Sequence, residues 1–328
     1  MSPLPSPELS PWLQPRAPDA RPALTLGAMN FGARTPRPEA LAVLERGFER
    51  GLRFVDTANV YVNGESERIV GAAIAKRPDV AVATKVGLNR VRGQNEGLSA
   101  EVIQASVDAS RKRLGRDVLD LLYLHAPDPK TSIEETVGAL ARLVRAGAVR
   151  HWGVSNFASW QILELRLAAE REGLAAPAVS QVLYNLLVRQ LDVEYFRFVE
   201  RYPLHTTVYN PLAGGLLSGK HEKVAVVPPG SRFDGNAMYQ RRYWTPRFFE
   251  QVEALGQVAR DEGMSLVELS YAWLAGRRGV DSILVGPGSV AHLDAAIDGC
   301  ARALSPEAET RIEALHREFV GTDASYAR

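Results

Sequence analysis

Four side chains of the types that reduce a carbonyl each stand at the end of an apolar run: Asp56 and Tyr61 in RFVDTANVY, Lys85 in VAVATKVG and His125 in LDLLYLHAPD. Reduction needs a hydride delivered to carbon and a proton to oxygen, with negative charge building on the oxygen between. A tyrosine hydroxyl ionises near pH ~10, too high for an ideal acid at neutral pH. An ammonium beside it lowers that value by stabilising the phenolate, and Lys85 is of the type to do so. Asp56, on the neighbouring strand end, would hold and orient the lysine. His125 would donate a hydrogen bond to the developing oxyanion and steer the carbonyl. Taken singly, each has an ordinary reading. Asp56 could cap a loop, Tyr61 could be an interfacial aromatic, and His125 could bond backbone at a strand end. Lys85 is harder to dismiss, because it closes a strand that should be buried and an unpaired buried ammonium is costly.

The elements that must position these groups read as an alternation. From Ala23 onward, β-rich runs at 23–27, 53–57, 80–85, 119–125, 149–155, 178–184, 204–210 and 281–286 are separated by stretches of helical period such as PEALAVLERGFERG and SIEETVGALARLVRAG. Several of these stretches stop on a glycine, among them Gly51, Gly115, Gly147 and Gly173. Eight strands alternating with helices predict parallel βα units closed into a (β/α)8 TIM barrel over residues 23–328, an α/β fold with its active site at the C-terminal face. A doubly wound open sheet is the alternative, but the first strand runs into LGAMNFG rather than the glycine fingerprint of that fold. Two long loops stand out, 86–98 after the third strand and 211–246 after the seventh. Long loops at this face are commonly functional.

The bulk properties are compatible with that reading. A chain of 328 residues suits one barrel of ~250 residues plus insertions. With 39 basic against 38 acidic residues the net charge is +1, which favours neither nucleic acid nor an anionic membrane as a partner. Cys300 is the lone cysteine, so there is no intramolecular disulfide and no zinc framework, and we expect no metal. The amino-terminal stretch lacks the charged-then-apolar pattern of a secretory signal, and no apolar run approaches the ~18–20 residues of a membrane span. A cytoplasmic location is the expectation. Residues 1–22 carry seven prolines and are expected to form an extended or disordered arm, with Trp12 and Leu13 able to pin it to the surface.

With the four segments in this order, and with GVSNF (153–157), SQVLYN (180–185) and VYNPLAGGLLSGK (208–220), the chain from about residue 22 resembles the aldo-keto reductases. The resemblance implies a catalytic tetrad of Asp56, Tyr61, Lys85 and His125 and a nicotinamide cofactor, NADPH in preference to NADH. It implies that Ser155 and Asn156, with Gln181 beside them, bind the carboxamide, that Asp56 and Met29 also border the cofactor, and that Tyr209 stacks on the nicotinamide ring. Asn210, Pro211, Leu212, Gly214, Gly215, Leu216, Ser218 and Lys220 would wrap the pyrophosphate. The run PPGSRFDGN…MYQRRYW and the terminal SYAR are similar to the branch that reduces aflatoxin aldehyde and succinic semialdehyde. By that likeness Arg232 would contact the cofactor phosphates, while Tyr239, Arg242 and Arg328 would hold an anionic group on a small carbonyl substrate. A homodimer is implied by the same branch.

The chain also departs from the family. In ILVGPGSVAHLDAAI (283–297), which aligns with the stretch holding the adenosine end, Gly286, Gly288, Ser289 and His292 could still bind. The family's Glu/Gln-Asn pair is replaced by Ala295 and Ala296. Potassium-channel β subunits are similar to this family too, so a cofactor-sensing regulatory protein is the alternative to an enzyme.

Overall fold

The computed structural model describes residues 9–17, 19–91, 94–221 and 227–322. Eight parallel strands close on themselves. They are β1 (Ala23–Gly27), β2 (Phe54–Asp56), β3 (Ala81–Val86), β4 (Leu119–Leu124), β5 (Val149–Ser155), β6 (Val179–Leu183), β7 (His205–Tyr209) and β8 (Ser282–Val285). Each pairs with the next in sequence, and β8 returns to β1 through Ala23↔Ser282 to Leu26↔Val285. The expected (β/α)8 barrel is therefore the observed fold, and each strand lies within one residue or two of its expected run.

The barrel helices are α1 (Arg37–Glu49), α2 (Glu65–Ile74), α3 (Ala100–Leu114), α4 (Ile133–Arg145), α5 (Ser159–Arg171) and α6 (Tyr195–Arg201), with α9 (Leu266–Gly276) and α10 (Val290–Ala301) completing the ring. Their starts follow local chemistry. Ser132 accepts the Glu135 amide at 3.2 Å, and Ser265 forms a reciprocal box with Glu268, each satisfying amides that a helix end leaves unpaired. The long excursion after β7 carries α7 (Ala237–Tyr243) and α8 (Pro246–Asp261), and α11 (Pro306–Val320) closes over α8. In the loop after β3, a short antiparallel ribbon pairs Arg90 with Asn95 and Val91 with Gln94.

Alternate residues of a strand face opposite ways. Val55, Val82, Leu122 and Leu124 therefore join the large core between strands and helices. Phe54, Ala83, Leu121, Tyr123 and Val179 form a separate cluster inside the barrel.

The described part of the proline-rich arm seals that inner cluster from below. Pro11–Leu13 makes a single 3-10 turn that buries Leu13 among the inner residues, and Trp12 stacks on Phe54 with ring centroids 4.4 Å apart. Arg16 donates to the carbonyls of Ala275 and Arg277 at 3.0 and 2.9 Å, and its amide reaches Asp281 at 2.7 Å. Among the described residues no helix is long and apolar enough to cross a membrane, and no cluster of His, Cys, Asp or Glu could hold a metal ion.

Candidate active site

Asp56 ends β2, Lys85 lies near the end of β3, and His125 follows β4, so all three project at the C-terminal face. Lys85 forms a fully buried ion pair with Asp56 and donates to the Thr57 carbonyl at 3.0 Å and to the Tyr61 hydroxyl oxygen at 3.4 Å. An ammonium has three donors, and here all three are used. Because the tyrosine oxygen accepts from Lys85, its own O–H is free to point elsewhere. Gln181, from β6 across the barrel, donates to the second Asp56 oxygen at 2.8 Å. The His125 ring meets Tyr61 edge-on with centroids 5.8 Å apart. The four residues expected from sequence are thus brought together.

The electrostatics assign roles. Burial, helped by Asp56 and opposed by Arg232, pushes the Tyr61 phenol well above its ordinary value, so it stays protonated at neutral pH. The sequence led us to expect a lowering by Lys85; the structure instead raises the value by burial, and the cation that opposes the rise is Arg232. Burial also lowers the Lys85 ammonium, with Asp56 opposing. His125 is driven down to about 3 by burial and by Lys85, which makes it a neutral imidazole. Its Nδ1 is buried without a hydrogen-bond partner. A neutral imidazole and a protonated phenol beside a fixed ammonium can polarise an oxygen, protonate it, and stabilise the phenolate left behind.

Tyr61 sits on a strained turn. Val62 and Asn63 adopt left-handed conformations with φ of 49° and 53°, unusual above all for a β-branched residue. Gly64, at φ 81°, packs so tightly on Arg113 that a Cβ there would come within 2.7 Å of its Cδ. Arg113 in turn pairs with the buried Glu67 at 2.5 Å, and Glu67 accepts from Thr84 at 2.6 Å. One buried carboxylate therefore ties the turn bearing Tyr61 to the strand bearing Lys85.

Beyond the tetrad, Ser155 ends β5 and Asn156 follows it. Asn156 donates to the His125 carbonyl at 2.9 Å and to the Ser155 hydroxyl at 3.1 Å, and it accepts from the Tyr209 hydroxyl at 2.7 Å. Asn210 accepts from the Gly214 amide and donates to Tyr243, each at 2.7 Å. The following turn, Ala213–Ser218, winds back through Gly214 and Gly215 at φ 71° and 100°. Pro211 and Leu216 are buried, Leu212 is half-buried, and Lys220 is exposed. Ser218 turns its hydroxyl onto the Gly215 carbonyl at 2.6 Å. Gln181 faces Asp56, which the resemblance also sets at the border of the cofactor.

Arg232 bonds to Asn30, to the Met29 sulfur at 3.3 Å and to the Tyr239 hydroxyl at 3.2 Å. The Arg242 guanidinium lies 5.9 Å from the rings of both Tyr239 and Tyr243. Arg328 falls outside the described residues. Gly286 and Gly288 are exposed after β8, where Ser289 caps α10 by accepting the His292 amide at 3.3 Å.

A dinucleotide needs polar groups and a ring for its nicotinamide, and backbone open to its phosphates. Asn156, Ser155 and Tyr209 offer the first, and Gly215 and Gly286, where a Cβ would meet nothing closer than 4.0 Å, offer the second. The residues present fit such a group at that end. Sequence reasoning missed Asn30, Glu67, Arg113 and Tyr243, and Asn185, which donates to the Asn210 carbonyl at 3.0 Å and to the Tyr243 hydroxyl at 3.3 Å. Glu67 did leave a signal: it is an acid on the buried stripe of α2 that also carries Val70 and Ile74.

Comparison with known proteins agrees with the geometry. The pattern of the Aldo/keto reductase family matches residues 23–317. Human aldo-keto reductase family 7 member A3 is 34% identical over 291 residues, covering 84% of this chain and 87% of that protein. Human aflatoxin B1 aldehyde reductase member 2 is 33% identical over 88% of this chain and 85% of its own length. A probable voltage-gated potassium channel subunit beta of Arabidopsis thaliana is 34% identical over 80% and 82% of the two chains. The structure of a glycerol dehydrogenase from Gluconobacter oxydans, at 24% identity, shares the fold with a TM-score of 0.78 over 97% of this chain and 99% of its own. The chain belongs to the aldo/keto reductase family.

Proposed function

We propose that this oxidoreductase reduces an aldehyde or ketone to an alcohol, with NADPH as cofactor and Tyr61 as the proton donor. NADPH, when bound, supplies the hydride. The observation that carries the reading is the saturated Lys85: its three donors go to Asp56, Thr57 and Tyr61, which leaves the tyrosine proton free for a substrate oxygen. His125, neutral and packed against the Tyr61 ring, would hold that oxygen from the other side. Asn156 and Tyr209 would hold the nicotinamide. The exposed Met29, just past the end of β1 and in contact with Arg232, suits an apolar portion of the substrate, and Arg242 beside Tyr239 suits an anionic one.

The test is carbonyl-dependent NADPH oxidation with succinic semialdehyde, 4-nitrobenzaldehyde and phenanthrenequinone. Tyr61→Phe should retain cofactor binding and lose turnover by roughly 10²–10⁴. Unchanged turnover in that variant would refute the assignment of Tyr61. The likeness to a probable potassium channel subunit supports a second reading, a cofactor-sensing protein acting on a partner. NADPH binding with no turnover on any carbonyl would favour it.

A further inference from the structure

Closure of the barrel places β8 against β1 and brings the helices that follow them, α10 and α1, together. Arg46 of α1 and Arg50, the residue after it ends, hold Asp294 of α10 at 3.0 and 2.6 Å, and Arg50 reaches Asp298 at 2.7 Å. In the first turn of α1, Glu39 accepts the backbone N–H of Val290, the first residue of α10, at 3.3 Å. The Ser289 hydroxyl is already used on the His292 amide. Between Gly286 and Ile297 the sequence offers no Lys or Arg, and its one acid is Asp294. Arg46 and Arg50 are committed to Asp294, Asp298 and Glu49, and Arg37, at the start of α1, pairs with Glu65 at 3.0 Å.

In βα barrels the phosphates of a ligand sit at the loops after strands 7 and 8. A helix N-terminus there favours an anion. With the nicotinamide at Asn156 and Tyr209, the far end of a dinucleotide falls toward the β8–α10 loop. There it meets a helix end whose first amide a carboxylate already holds. The nicotinamide end of the site fits the cofactor, whereas at this end a second phosphate would compete with Glu39 for the Val290 amide.

Resting on the reductase reading above, we infer that Glu39 sets the balance between NADPH and NADH. Its carboxylate holds the α10 amide that a 2′-phosphate would take. NADPH must therefore bring a phosphate monoester, carrying about −1.5 to −2 charge near neutral pH, up to an existing anion. NADH brings a neutral hydroxyl, which can donate to the same carboxylate. Glu39 thus narrows the advantage of NADPH.

The experiment is titration of the full chain with NADPH and NADH, following quenching of tryptophan fluorescence, for wild type, Glu39→Gln and Glu39→Ala. Wild type should bind the two cofactors within about tenfold of each other, and Glu39→Gln should tighten NADPH by about fivefold or more while NADH stays within about twofold. Glu39→Ala also frees the amide, should move in the same direction, and keeps the test valid if Glu39→Gln does not fold. Equal shifts for both cofactors, or no shift for either, would overturn the role of Glu39 and leave the reductase reading standing. Failure of wild type to bind either cofactor would overturn both.

Discussion

Gln181 and Lys85 divide the Asp56 carboxylate between them, the amide donating to one oxygen at 2.8 Å and the ammonium pairing with the other. Three strands, β2, β3 and β6, are joined by this one buried acid. Gln181→Met keeps the volume and deletes the donor, leaving a buried carboxylate oxygen unsatisfied. We expect a loss of about 1–3 kcal/mol in denaturant unfolding. We also expect turnover to fall more than KM rises, because Asp56 positions Lys85 rather than touching substrate. Stability unchanged within error would show that the amide is not needed there.

Val62 stores strain next to the proposed proton donor. A left-handed β-branched residue costs on the order of 1–3 kcal/mol, and glycine removes that cost while adding about 0.5–1 kcal/mol of chain entropy to be lost on folding. Val62→Gly should therefore be neutral or slightly stabilising, and Val62→Ala destabilising. With the Tyr61 turn loosened, Val62→Gly should lower turnover. Chemical denaturation of the three proteins gives the order, and a marked loss of stability in the glycine variant would contradict it.

Acid should unfold this protein through its histidines. Burial lowers the native values of His125, His151, His205, His221 and His316, with His125 falling from 6.5 to about 3. The unfolded chain takes up protons near its ordinary value while the native chain does not. Stability is therefore flat above about pH 6.5 and falls as the pH drops toward 3. His125 alone accounts for up to about 4–5 kcal/mol of that fall, reached only near its native value. Unfolding free energy measured from pH 7 to 4 should decline steeply, and His125→Asn should flatten the slope.

Leu13 plugs the base of the barrel, and Leu13→Ala should cost about 2–5 kcal/mol. Because the plug touches strand starts while the tetrad stands on strand ends, KM and turnover of the folded variant should be unchanged. A changed KM would show that the base and the mouth are coupled.

The barrel and the tetrad were legible because both follow local rules. Each apolar run ends where its strand ends, and Asp56, Lys85 and His125 stand at those ends with the inward parity. Tyr61 was legible as a residue but its turn was not, since nothing in YVNG announces left-handed backbone at a valine. The partnership of Gln181 with Asp56 spans strands that are not neighbours, so only closure of the barrel creates it. The Glu39–Val290 bond is hidden for the same reason, joining the first barrel helix to the helix after the last strand. In the described part of the arm, Trp12 and Leu13 are the residues that pin it, as their types allowed; the bonds from Arg16 to the Ala275 and Arg277 carbonyls had no signal in the sequence.

The docked arm also gives the molecule two ends of different use. The described arm docks at the base, among the starts of β2, β5, β7 and β8, with the inner cluster of Phe54, Leu121, Tyr123 and Val179 between it and the tetrad. A label or surface anchor carried at residue 9 or 10 would hold the protein by this base, with the candidate active site facing free solution. For immobilisation these positions of the docked arm are therefore the handle to choose.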